Sequence, residues 1–182
     1  SLGGGVTFRQ GSHQFDIIRL IGGGLVRSVR AMTAKFDVSR PAEGAHTVFL
    51  EFENGAVATA IYSGYDRFRS AELGYNVGEG GLPFNLEKYG AARNALKNAN
   101  PEAELELKKS VRYGGSSSRN WGEVPDSHPF YGLTVVSCEN GDIRQSPDGL
   151  LVYSENEKRE VAIPKGTSGR DNILTELKAA IL

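Results

Sequence analysis

The chain has 182 residues, 39% of them hydrophobic and 24% charged, which suits one domain with its own core and does not suit a disordered tail. Its 21 basic and 22 acidic side chains are mixed along the sequence and leave a net charge of -1, without the concentrated positive field of a nucleic-acid or membrane-surface binder. No apolar run approaches the roughly 20 residues that span a bilayer, and a single cysteine, Cys138, excludes an internal disulfide.

The first element is a helix over His13 to Ile21, with Ser12 as N-cap, an apolar stripe of Ile17, Leu20 and Ile21, and Gly22–Gly24 as its stop. Strands follow. Val26–Phe36 is rich in β-formers, and Thr47–Phe52 and Ala56–Tyr62 flank Asn54–Gly55, a strong hairpin signal. Phe49 lies on the face opposite Val48, Leu50 and Phe52, so the sheet is expected to meet a further layer or subunit. Tyr62, Tyr65 and Phe68 fit packing better than a pocket wall.

In the middle, Leu86, Tyr89, Ala92 and Leu96 predict a helix over Phe84–Asn98. Lys108, Lys109 and Arg112, balanced by Glu102, Glu104 and Glu106, read as a solvated face. Tyr113–Asp126, with Trp121, reads as a long loop, and with His128 and Tyr131 it fits a lid or a plain surface loop equally well. Strands return at Tyr131–Cys138 and Asp142–Arg144 around Asn140–Gly141, then at Leu150–Tyr153 and Glu160–Ile163. Cys138 is read as a small apolar side chain within its strand. Leu174, Leu177 and Ile181 give Asn172–Leu182 one apolar helix face. The expected class is α+β: a large, open, mainly antiparallel sheet with helices on one face, in one domain over residues 1–182.

Chemistry concentrates near the beginning. Gly3–Gly5 leads through Arg9 and Gln10 into a helix whose first turn presents His13, with Asp16 three residues further and so on the same face. A carboxylate there can orient an imidazole for proton transfer, and a guanidinium before the helix can grip a carboxylate with two donors. The same residues also fit a plain helix start, with Asp16 favoured by the dipole and Arg9 solvated. His13, His46 and His128 lack the spacing of a metal pair, so no metal is expected.

The run Gly11-Ser12-His13-Gln14-Phe15-Asp16-Ile17-Ile18-Arg19-Leu20-Ile21-Gly22-Gly23 behind a glycine run resembles the start of the C-terminal domain in the glucose–fructose oxidoreductase, inositol dehydrogenase and MocA family. Thr47–Phe52, Asn54–Gly55 and Ala56–Tyr62 resemble that family's paired strands, and Leu133–Tyr153 its later hairpin. The resemblance implies a C-terminal domain beside an N-terminal Rossmann domain that binds NAD or NADP, with substrate between them. His13 then exchanges a proton with the substrate hydroxyl, Asp16 orients it, and the sheet forms a homodimer or homotetramer. Where many sugar-oxidising members carry Asp four residues before the histidine, this chain has Arg9. Arg9, with Gln10 as a further polar contact, suits an acidic substrate and resembles the phthalate cis-dihydrodiol dehydrogenase branch, which makes catechols.

No Gly-x-Gly-x-x-Gly follows a strand in a βαβ unit. A chain that opens with Ser1-Leu2 is therefore expected to be part of a longer one, to hold no cofactor by itself and to be inactive alone. With no secretion-signal pattern and one free thiol, the expected location is the cytoplasm. The competing expectation is a non-catalytic sheet module that dimerises and serves as binding partner or scaffold.

Overall fold

The computed structural model describes residues 4–111, 114–117, 125–165 and 169–182, with the side chains of 169–171 left aside. It divides into two compact units, Ser1–Arg67 and Phe68–Leu182. The expected α+β class and antiparallel pairing are found, with the strands distributed over one sheet of three and another of four.

In the first unit, α1 (Val6–Arg9) and α2 (Gly11–Gly22) are followed by β1 (Val26–Ala34), β2 (Ala45–Phe52) and β3 (Val57–Ser63), paired antiparallel in the order β1-β2-β3. The helix starts seven residues before the expected His13. Gln10 keeps helical angles (φ -97, ψ -35), its amide donates to Val6 O at 2.8 Å, and Gln14 N donates to Gln10 O at 3.2 Å. Ser12 is therefore inside the helical run and not its cap; its hydroxyl donates back to Arg9 O at 3.3 Å. The stop is at the expected glycines, with Gly23 left-handed at φ 70.

A four-residue connection, 53–56, joins β2 to β3, and Gly55 supplies its positive φ of 88. Asn54 does more than turn the chain. Its Oδ1 accepts from Ala56 N at 3.0 Å and its Nδ2 donates to Gly22 O at 2.8 Å, so the hairpin satisfies a free carbonyl at the end of α2.

Alternation along β2 makes two faces. Val48, Leu50, Phe52 and Ala60 form the buried cluster, and Phe15 and Ile18 of α2 pack onto it. The other face carries Met32, Thr47 and Ile61 in register, and beside them Arg30, Phe49 and Thr59. Met32 and Ile61 are exposed there. Tyr62 and Tyr65 pack against rings of this unit, Tyr62 on His46 at 5.8 Å and Tyr65 on Phe36 at 5.2 Å, as packing residues should.

The second unit holds α3 (Ala91–Leu96), α4 (Pro101–Ser110), the sheet of β4 (Val135–Cys138), β5 (Gly141–Gln145), β6 (Gly149–Tyr153) and β7 (Lys158–Ala162) in sequential order, and α5 (Gly169–Ile181). The helix expected over Phe84–Asn98 is broken: a 3-10 turn, Leu86–Lys88, ends where Gly90 takes φ 75, and α3 begins after it. The solvated face expected around Lys108 is a complete helix, α4, capped by Asn100, whose side chain accepts from Ala103 N, with Pro101 opening its first turn. Lys108–Glu104 and Lys109–Glu106 pair along it, each at 2.6 Å. The second hairpin turns at Glu139–Asn140, one residue before the expected pair, and Cys138 ends β4 exposed and not packed. Tyr75 meets the buried Phe130 edge-on at 6.0 Å, and its hydroxyl accepts from Arg144 Nη2 at 2.7 Å. His128 is tied by its ring to Ile163 O at 2.9 Å and by its amide to Pro147 O at 2.8 Å. Arg112, Trp121 and most of the loop expected over Tyr113–Asp126 lie outside the described residues. Among the described residues no helix is long and apolar enough to cross a membrane.

The seating of α2 gives a first prediction. A Cβ on Gly22 would lie 2.4 Å from the Phe52 ring, which is only 1% exposed and has no room to retreat. Gly22→Ala should lower the urea midpoint, because overpacking of about 1–3 kcal/mol outweighs a helix-propensity gain of at most about 1 kcal/mol. An unchanged or higher midpoint would show that the ring yields freely.

Candidate active site

Gly5 begins the site. It is buried at the N-terminus of α1, where a Cβ would come within 2.4 Å of Glu43 O. That closeness lets Val6 N donate to Glu43 O at 3.2 Å and Thr7 N to Glu43 Oε1 at 3.3 Å. A carboxylate on the first free amides complements the helix dipole and fixes where the run begins.

From there the helical period sorts the side chains. Thr7, Gly11, Gln14, Phe15, Ile18 and Gly22 turn toward the sheet and are buried or half-buried. Arg9, Gln10, His13 and Asp16 turn away and are exposed, with Phe8, Ile17 and Leu20 exposed beside them. The structure thus brings Arg9, His13 and Asp16 onto one helix face at spacings of four and three residues. It does not join Asp16 to His13. Asp16 Oδ1 instead lies 3.5 Å from Arg19 Nη2, in a pair whose side chains are 73% and 59% exposed. Pairs of that length and exposure hold a carboxylate only loosely. Among the described residues the His13 side chain makes no hydrogen bond, and Arg9 engages only through its backbone, its amide donating to Gly5 O at 3.1 Å and its carbonyl accepting from Ser12 Oγ at 3.3 Å.

The residue that the sequence reading passed over is His46. It is 2% exposed, on the covered face of β2, with its Nε2 2.9 Å from Gln14 Oε1 and its Nδ1 3.3 Å from Thr7 Oγ1. Phe15 lies 5.4 Å from its ring centroid and Tyr62 is stacked at 5.8 Å. Gln14 Nε2 continues the chain of bonds by donating to Ile61 O at 3.2 Å. Burial pushes the imidazole below its ordinary value of 6.5, against a smaller opposing effect of the Glu43 carboxylate. A signal for this residue was present: the alternation Val48, Leu50, Phe52 runs back two residues to His46. The strand expected from the sequence began at Thr47 and missed it.

Among the described residues no three His, Cys, Asp or Glu side chains gather as they would around a metal ion.

Comparison with known proteins adds three findings. Residues 1–77 match the family model of the GFO/IDH/MocA C-terminal domain. The chain is 32% identical over 99% of its length to the 1-carboxy-3-chloro-3,4-dihydroxycyclohexa-1,5-diene dehydrogenase of Comamonas testosteroni, covering 46% of that protein. A solved structure from Bordetella bronchiseptica RB50, described as a dehydrogenase, is 37% identical and superposes with a TM-score of 0.81 over 99% of this chain and 47% of its own. The chain therefore spans about half the length of each of these two relatives.

The pH dependence of stability follows from His46. A buried imidazole that resists protonation makes the folded chain take up its proton less readily than the unfolded chain. The stability it carries is whole above 6.5 and is lost as the pH falls from there through the lower folded value. The thermal midpoint should therefore drop on acidification from pH 7.5 to 5, and His46→Gln should flatten that drop relative to the parent. Parallel profiles would mean that His46 does not titrate differently in the two states.

Proposed function

We propose that this chain, whose residues 1–77 match the family model of the GFO/IDH/MocA C-terminal domain, is the substrate-facing part of an NAD- or NADP-dependent dehydrogenase that oxidises a carboxylated, aromatic-derived cis-dihydrodiol to a catechol. The observation that carries this reading is the single outward face of α1 and α2, where a guanidinium, an amide and an imidazole stand exposed among apolar side chains. Exposed Phe8, Ile17 and Leu20 around polar groups are the composition of a surface that meets another one. The Comamonas relative is named for a substrate bearing one carboxylate and two adjacent hydroxyls, and Arg9 and His13 are of the types needed for those two features.

In this reading Arg9, with Gln10 beside it, holds the substrate carboxylate through paired N–H donors, fixing the ring so that one hydroxyl faces His13. His13 accepts the hydroxyl proton as the carbon is oxidised, and Asp16 steadies the imidazolium once Arg19 releases it. The residues present do not fit the oxidant itself. All described strand pairs are antiparallel, whereas a dinucleotide cradle needs a glycine turn between a parallel strand and a helix. NAD or NADP belongs to a nucleotide-binding domain outside these 182 residues, and the isolated chain should be inactive. The outer face of β1, β2 and β3, where Met32, Phe49 and Ile61 stand exposed among polar side chains, suits assembly of a homodimer or homotetramer.

Two substitutions in the complete two-domain protein test this. His13→Ala should lower kcat by on the order of 10²- to 10⁴-fold, and an unchanged rate would end its role as base. Arg9→Ala should raise KM for carboxylated diols far more than for neutral ones. Equal effects on both would show that Arg9 does not read charge. If the complete protein oxidises no diol with either nucleotide, the non-catalytic sheet module becomes the better reading.

A further inference from the structure

We propose that His46 is a positioning residue of this site: held as the neutral Nε2–H tautomer, it clamps α1 to α2 and so fixes the guanidinium of Arg9 relative to the imidazole of His13. The assignment deepens the function proposed above and rests on it for its catalytic meaning, though not for its geometry.

The tautomer follows from the direction of the hydrogen bonds. Gln14 Nε2 is committed to Ile61 O at 3.2 Å, since a carbonyl oxygen accepts and cannot donate. Turning the amide over would set oxygen against oxygen, so Gln14 presents Oε1 to the ring. The ring nitrogen 2.9 Å from that oxygen, Nε2, must then carry the hydrogen. In the neutral ring Nδ1 is the acceptor, and the Thr7 hydroxyl 3.3 Å away donates to it. Three bonds thus run one way, from Thr7 through His46 and Gln14 to the backbone of β3, and neither ring nitrogen is left without a partner.

The clamp follows from where these partners stand. Thr7 is in α1 and Gln14 in α2, seven residues apart and so on one face, with the Gln10 joint between them. The imidazole edge from Nδ1 to Nε2 spans that joint, and its middle atom, Cε1, faces Gly11. A Cβ there would lie 3.3 Å from Cε1, a contact tight enough to push the ring away from one of its two partners. Arg9 lies on the α1 side of the joint and His13 on the α2 side. A bridge fastened to both sides therefore holds the distance between the two exposed groups. The groups facing the ring are Thr7 of α1, Gln14 and Phe15 of α2 and Tyr62 of β3, with Glu43 before β2 as the charged neighbour.

The chain's three histidines make the tautomer directly readable by long-range proton–nitrogen correlation on labelled protein. His46 should show a protonated Nε2 and an accepting Nδ1, and should keep that form at pH 6.5. Thr7→Val removes the donor to Nδ1 at nearly constant shape, whereas Thr7→Ser keeps it. The valine variant should lose the single tautomer and shift the His13 amide, and the serine variant should restore both. In the complete enzyme, Thr7→Val should raise KM for the carboxylated diol by roughly fivefold, the scale of one hydrogen bond, with serine again restoring it. An Nδ1–H form, a mixture of tautomers in the parent, or a His13 amide indifferent to Thr7→Val would each overturn the clamp. So would equal kinetics for the valine and serine variants in an active enzyme. If no diol is oxidised at all, the functional reading fails while the spectra still decide the role of His46.

Discussion

Everything in the first unit depends on how closely the helical run can lie on β2 and β3. The two residues where its inward face comes nearest are Gly11, under the His46 ring, and Gly22, under the Phe52 ring. A side chain at Gly11 would press on the His46 ring, and one at Gly22, 2.4 Å from the Phe52 ring, would lift the helix off the sheet. The lift would separate Phe15 and Ile18 from Val48, Leu50, Phe52 and Ala60, which make up the buried cluster. Close approach therefore comes first, and the apolar burial that stabilises the unit is its consequence.

The same closeness explains why a polar group can sit in this interface. A buried imidazole costs stability unless both nitrogens are bonded. Here the helix is near enough for Thr7 and Gln14 to reach it, and the sheet supplies the last acceptor at Ile61. An apolar contact would tolerate small rotations of the helix, because it has no preferred direction. A chain of three oriented hydrogen bonds does not. That difference matters for the outer face, since turning a helix about its axis by one residue's worth, about 100°, would carry His13 out of reach of whatever Arg9 holds. The ends of the run are fixed as well, by Glu43 on the first amides and Asn54 on the last turn.

How much of this could be read from the sequence depended on whether the signal was local. The first hairpin was legible because Asn54 and Gly55 carry the turn in their own chemistry, and the helix stop because Gly23 has a left-handed conformation. The candidate residues Arg9, Gln10, His13 and Asp16 were legible as a pattern, and their common exposed face follows from spacing alone. What escaped were features set by partners distant in sequence. The helix began early because Glu43, some forty residues away, receives its first amides, so Ser12 was mistaken for a cap. His46 escaped because its strand was started two residues late, at Thr47 and not Ala45, and its partners are 39 and 32 residues distant. The missed α4 is a different case: Asn100 and Pro101 were a sufficient local start signal, hidden behind the charge pattern that follows. Gly90, which splits the expected middle helix, was equally visible.

The pairing of Asp16 with Arg19 and not with His13 shows where this chain's contribution stops. All three side chains stand in water, where a charge pair at this distance holds little. The attraction of Asp16 for a charged imidazole, and of Arg9 for a carboxylate, gains strength only when solvent is excluded. The chain's own packing sets the positions of these groups and leaves their environment open. An outer face with Phe8, Ile17 and Leu20 around the polar groups can become dry when another surface covers it. In the proposed enzyme, then, geometry is fixed on the inner side of the helix by His46 and the two glycines. The strength of the chemistry is fixed on the outer side, by what closes over it.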